Sequence, residues 1–220
     1  EVSVDLETPE PRFNDEVDPE EAAYYIRYET FARPHRVGME FLLPKGMQQL
    51  RWYGRGPNPT YIDRNFERIG LFSGTVDDQW IDYSRPQENG NKTDVRWVEI
   101  TDDTGNGLRV TGISAPLSVG AKNYSKSTME QSEYSFEMKR SGFVHLNIDH
   151  IQMGVGGTDS WKRGPLQDYL LVEPRYQYSY RIEPVRTERS VDAQPLQNEM
   201  SMQINRSSDE EKSPCGLFSY

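Results

Sequence analysis

The sequence predicts an all-β fold, an antiparallel β-sandwich, on three observations. Short runs of aromatic and branched residues alternate with polar ones, Gly, Pro, Asn and Asp punctuate them, and helical periodicity is weak throughout. Mean hydropathy is -0.83, and no apolar run approaches the roughly 20 residues that span a bilayer as a helix, so a soluble chain is expected. At 220 residues the chain can bury a sizeable core without staples. Its one cysteine, Cys215, excludes an internal disulfide and a cysteine zinc site.

Residues 1–32 read as an acidic lead-in with a first strand and a loop. Residues 1–21 hold nine acids against Arg12 alone, a net of -8 out of -10 for the whole chain. The remainder is therefore close to neutral, which argues against a sequence-independent grip on nucleic acid. No basic segment followed by an apolar one opens the chain, so no secretory signal is expected. The sandwich domain occupies residues 33–185, with strands over 38–43, 49–53, 95–100, 108–112, 134–138, 143–153 and 175–182. In the last of these Tyr176, Tyr178, Tyr180 and Ile182 share one face, while Gln177, Ser179 and Arg181 share the other. The run from Asp103 to Gly107 is a hairpin tip, and residues 127–132 form a single helical turn. No fixed-period repeat supports a propeller or solenoid. Residues 186–220 read as a flexible polar tail; its apolar end, 216–220, is weighed against docking because terminal apolar residues are common.

Three segments do not read as ordinary strand or turn. The first, 52–64, is WYGRGPNPTYIDR, whose glycines and prolines set an irregular path; the favoured reading is a structural loop pinned by an Arg–Asp pair. The second, 85–97, is RPQENGNKTDVRW. Glu88, Asp94, Arg85 and Arg96 there could ligate a cation or hydrogen-bond a sugar, but oxygen-rich loops usually pair with their own backbone, which is the favoured reading. The third, 153–161, is MGVGGTDSW. It lacks the third glycine and following helix of a dinucleotide loop. A tryptophan on a glycine-set loop can stack on the apolar face of a pyranose, although a core role is the commoner fate. His145 and Asp149 share a strand face and His150 lies opposite, yet two ligands do not make a metal site. No Ser-His-Asp order, P-loop or H-E-x-x-H occurs.

These three segments, in order and spacing, resemble the C-terminal domain of glycoside hydrolase family 2 β-galactosidases. The motif RPQENGNKTDVRW is similar to that domain's signature, MGVGGTDSW to its M-G-[VI]-G-G-D-D-S-W, and 52–64 to its W-x-G-x-G-P-x-E-x-Y-x-D-R loop. Pro59, Ile62 and Thr158 depart from the usual Glu, Pro and Asp. The resemblance covers about residues 33–184 and implies an antiparallel β-supersandwich, incomplete at its N-terminal side. It implies a retaining β-galactosidase acting on terminal β-D-galactosides such as lactose, whose two catalytic glutamates stand about 5 Å apart on a (β/α)8 barrel that this chain lacks. No catalytic and no metal residue is therefore assigned here, and the chain alone is expected to be inactive. What carries over is Trp161, the tryptophan that reaches into the sugar pocket, with Gly154, Gly156, Gly157, Asp159 and Ser160 shaping its loop. The resemblance gives this chain no cofactor, although full family enzymes use Mg and Na. Its implied partners are the galactoside, the catalytic barrel and further copies in a homo-oligomer, with no nucleic acid and no membrane. A cytoplasmic location is expected, with the periplasm as the alternative. The competing functional reading is a stand-alone carbohydrate-binding β-sandwich module.

Overall fold

The computed structural model describes residues 1–5, 34–156, 165–187 and 216–218. In chain order its strands are β1 (Val2–Asp5), β2 (Arg36–Pro44), β3 (Gln49–Arg55), β4 (Ile69–Thr75), β5 (Lys92–Val95), β6 (Trp97–Thr101), β7 (Gly107–Gly112), β8 (Leu117–Lys122), β9 (Phe143–Gln152), β10 (Arg175–Tyr178), β11 (Tyr180–Val185) and β12 (Gly216–Phe218). The one α-helix among the described residues, α1, spans Lys126–Gln131. Ser125 accepts from the Thr128 N–H as its N-cap.

Two five-stranded antiparallel sheets form a sandwich, as the alternation predicts, with orders β11-β7-β6-β3-β4 and β12-β2-β9-β8-β5; β1 and β10 make a separate ribbon. The inward positions of both sheets meet in one core, with Leu50, Trp52, Val98, Ile100 and Val110 from the first facing Leu43, Val119, Val144, Leu146 and Ile148 from the second. Trp52 stacks on Phe72 at 5.5 Å and its indole N–H donates to the Arg55 carbonyl at 3.0 Å. A smaller core under the ribbon joins Val4, Val37, Leu171 and Tyr176.

Four segments differ from the sequence reading. The strand expected over 95–100 breaks at Arg96, because Asp94 takes φ 55° and Arg96 donates its N–H sideways to Tyr53. Residues 134–138 alternate like a strand but fold as a 3-10 turn at Ser135–Glu137; Phe136 is 82% exposed, so no sheet receives that alternation. The expected strand over 175–182 divides at Ser179, β10 pairing with β1 and β11 with β7, which leaves Tyr178 buried and Ile182 exposed. The apolar end of the tail does dock, as β12 against Gly38–Glu40 of β2.

The second sheet has an unusual outer face. Along β9, Val144, Leu146 and Ile148 enter the core while His145, Asn147 and Asp149 point away from it, yet all six are buried. Val37 pairs with Ile151 and Gly38 with Asp149, so His150 is the extra residue of a β-bulge. The bulge returns Gln152 to the face of Asp149. Gly38 is required there because a Cβ would overlap the Asp149 carboxylate.

Candidate functional site

Beyond β9 the chain runs into the glycine loop, whose described part is tied at three points. The N–H of Met153 donates to the His35 carbonyl at 2.8 Å and that of Gly154 to the Tyr169 carbonyl at 2.9 Å. The N–H of Gly156 donates to Asp63 Oδ2 at 2.7 Å. A Cβ on Gly154 would stand 2.6 Å from Asp63 Oδ2 and 2.9 Å from Pro165 Cβ, and Gly156 takes φ 73°. Both positions therefore favour glycine over any residue with a side chain. Gly157, Asp159, Ser160 and Trp161 lie outside the described residues.

Asp63 is itself held by its neighbours. Tyr61 and Arg64 exchange backbone hydrogen bonds at 3.1 and 3.0 Å, Tyr61 is buried, and the Arg64 guanidinium lies 5.0 Å above the Tyr61 ring. The turn so formed points Asp63 at the glycine loop. The pinning pair expected within segment 52–64 forms differently: Arg55 reaches out of the segment to Asp94 Oδ2 at 2.5 Å and to the Glu67 carbonyl at 2.7 Å, which leaves Asp63 free for Gly156.

Beside this loop the outer face of the second sheet is the floor of a cleft of about 490 Å³. Its walls come from the segments at Tyr61, Tyr83 and Glu88, from Tyr124 and α1, and from Val155 and Pro165. Glu88 is the hub of the floor, accepting from Arg36 at 2.9 Å through Oε2 and from Lys122 at 2.8 Å through Oε1. Arg36 also stands 3.4 Å from Asp149 Oδ2, and His145 Nδ1 pairs with Glu40 at 3.1 Å. Glu88 thus draws its charged partners from β2 and β8, while also accepting from the backbone N–H of Asn89 in its own loop, as the backbone-pairing expectation has it. Asn89 also follows that expectation, bonding both backbone groups of Ile81.

The two central carboxyls are pushed in opposite directions. Burial would raise the Glu88 pKa, but the charges of Lys122 and Arg36 and their hydrogen bonds outweigh it and hold it down at about 2. At Asp149 burial wins over the Arg36 charge, Glu88 adds repulsion, and the pKa rises to about 7. The geometry agrees with that direction: Asp149 is fully buried and neither oxygen has a hydrogen bond. Glu40 is lowered, chiefly by its hydrogen bond to His145, against the cost of burial. His145 Nε2 and Gln152 Oε1 are likewise buried without a partner.

His145 and Asp149 do share a face, and the structure adds Arg36, Glu40, Lys122, Asn147 and Gln152, none of which stood out in the sequence. The only trace of it in β9 is that its outward residues are His, Asn, Asp and Gln with no Lys, Arg or Glu among them, since the long charged side chains are almost never fully buried unless paired. Among the described residues no group of three or more His, Cys, Asp or Glu could hold a metal ion. Chemically, the floor offers fixed donors and acceptors.

The chain matches the family model described as the β-galactosidase small chain over residues 2–182. It is 36% identical over 159 residues to a β-galactosidase of Priestia megaterium, covering 71% of this chain and 15% of that protein. It is 41% identical over 136 residues to β-galactosidase BgaC of Bifidobacterium adolescentis, covering 61% of this chain and 13% of that protein. A β-galactosidase of Vibrio cholerae is 33% identical over 144 residues, 65% of this chain and 13% of its own. The chain thus spans 13–15% of the length of these curated relatives.

Proposed function

Because this chain belongs to the β-galactosidase small-chain family, we propose that it is the C-terminal sandwich domain of a retaining β-galactosidase of glycoside hydrolase family 2. The whole enzyme hydrolyses terminal β-D-galactosides such as lactose. Its acid/base and nucleophile are two glutamates of a catalytic barrel outside this chain, and this chain contributes Trp161 and contacts between domains. Alone it is inactive.

One observation carries the reading beyond the family match. Val155 and Pro165, on either side of the segment that holds Trp161, both line the rim of the same cleft, and Asp63 fixes the near side through Gly156. The loop's root is thus rigid, as a residue that presents a ring to a sugar from a neighbouring domain requires. The indole stacks on the C–H face of the galactosyl unit, contributing roughly 1 kcal/mol. The remaining domains, further copies of the enzyme and the galactoside are its partners.

The test is reconstitution. The chain is mixed with the remaining domains and assayed on a chromogenic galactoside, expecting activity only in the mixture. Trp161→Ala should raise KM up to about tenfold. No activity in any combination, or full activity with Trp161→Ala, overturns the proposal.

A further inference from the structure

The outer face of the first sheet is built unlike a solvated one. Leu50, Trp52, Val98, Ile100 and Val110 point into the core, so Arg51, Tyr53, Trp97, Glu99 and Arg109 point away from it. The register lays Leu71, Tyr53 and Trp97 side by side across β4, β3 and β6, with Ser73, Arg51, Glu99 and Arg109 in the next row. The Trp97 ring carries two guanidinium groups, Arg109 at 4.1 Å and Arg51 at 5.7 Å from its centre, and Arg96 lies 5.8 Å from that of Tyr53. Exposed apolar groups adjoin them: Leu71 is 54% exposed, Tyr53 41% and Ile69 40%.

The charges on this face do not balance. Arg109 bonds Glu99 at 3.2 Å, Arg181 pairs with Glu183 at 3.1 Å, and Arg55 and Asp94 cancel at the margin. Arg51 reaches only the already bonded Glu99, at 3.9 Å, and Arg96 donates to the uncharged Asp94 carbonyl. Among the described residues two cations are thus in surplus around Tyr53 and Trp97; Asp102 and Asp103 lie at the other end, beyond Gln49 and Thr101. Arginines held on aromatic rings beside apolar groups are the composition of protein-interface hot spots. The rings fix the guanidinium groups before contact, which lowers the ordering cost of binding. A carboxylate answers a guanidinium through two parallel hydrogen bonds, so the complementary surface is acidic. A two-fold contact with a second copy would instead set these arginines against their own images. The chain spans 13–15% of the length of the relatives above, so most of such a protein lies outside it.

We propose that the outer face of the first sheet, centred on Tyr53 and Trp97, docks a carboxylate-bearing, partly apolar surface of the remaining domains of the same enzyme, which rests on the reading of this chain as one domain of a larger β-galactosidase. Guanidinium groups of Arg51 and Arg96 take the partner's carboxylates, and Leu71 and Tyr53 take its apolar groups.

Calorimetric titration of the full 220-residue chain with the remaining domains tests it, reading association apart from hydrolysis. Arg51→Glu and Leu71→Asp, both at exposed positions, should each weaken association about tenfold or more. Lys45→Glu, the same charge reversal on the exposed turn after β2, should stay within about twofold. Raising salt from about 0.05 to about 0.5 M should weaken the wild-type complex more than that of Arg51→Glu. Two separate face positions keep the test informative where one variant misfolds. Equal binding by wild type and both face variants overturns the proposal and leaves the domain assignment standing. A dimer of the chain alone that Arg51→Glu disperses gives the face to a second copy and overturns it as well. No association of the wild type overturns the proposal and the domain assignment together.

Discussion

Asp63 and Gly156 are 93 residues apart in the chain and joined by a 2.7 Å hydrogen bond from the glycine N–H to Asp63 Oδ2. That bond fastens the loop of segment 52–64 to the glycine loop that follows β9.

Asp63→Ala removes the acceptor and frees the root of the glycine loop. In the reconstituted enzyme KM should rise as for Trp161→Ala, up to about tenfold, with a smaller change in kcat. Asp63→Asn keeps an oxygen at the same place and should restore most of the loss. Steady-state kinetics of the three variants decide the matter, and an unchanged KM for Asp63→Ala rejects the positioning role.

Gly154→Ala forces a Cβ to 2.6 Å from Asp63 Oδ2 and 2.9 Å from Pro165 Cβ. Overpacking of this kind costs about 1–3 kcal/mol, measurable by urea unfolding. Because the clash is with Asp63 itself, the double variant with Asp63→Ala should cost less than the two single changes together. Simple additivity would contradict the contact.

Asp149 sets a pH dependence of opposite sign to that of an ordinary paired carboxylate. Its folded pKa, raised to about 7 by burial, lies above the unfolded value of 3.8. The folded state therefore binds more protons between those limits, and stability falls as pH rises from about 4 to about 7. Asp149→Asn should abolish that fall. Unfolding midpoints across the window measure it, and parallel curves for wild type and variant refute it.

Glu88 works at the other end. Its folded pKa is about 2 against 4.5 unfolded, so its contribution is complete above about 4.5 and disappears as pH falls toward 2. Glu88→Gln leaves Arg36 and Lys122 without their shared carboxylate. The loss at neutral pH should be about 3 kcal/mol, the low end for a broken buried network, since the Glu88 side chain keeps 26% exposure. The acid limb of the stability curve should flatten in the variant. Chemical denaturation at pH 7 and pH 3 reads both effects.

The sandwich was legible because Trp52 and Val98, or Leu146 and Ile148, obey period two wherever one face of a sheet enters the core. Residues 134–138 show the same pattern and fold as a turn, since alternation records a strand only where a sheet exists to receive it. The cleft was illegible for two reasons. Arg36, Glu88, Lys122 and Asp149 meet from four separate segments, so no spacing links them. And Asn147 and Asp149 occupy positions that alternation assigns to solvent, while the loops that bury them follow no local pattern. Of the loop residues, Gly154 and Gly156 were visible in the motif; Asp63, their anchor, was visible only as one charge among several.

The division of 175–185 at Ser179 has a practical consequence for anyone trimming this protein. Among the described residues, β10 pairs only with β1, and the small core of Val4, Val37, Leu171 and Tyr176 closes only when both strands are present. A recombinant version starting after Asp5 discards four residues of pairing and uncovers Tyr176 and Leu171. Its strand β10 then has an open edge, which invites a neighbouring molecule to supply the missing partner. Solubility in the test tube thus hinges on Val2–Asp5, the part of the chain that an editor guided by its acidic surroundings would delete first.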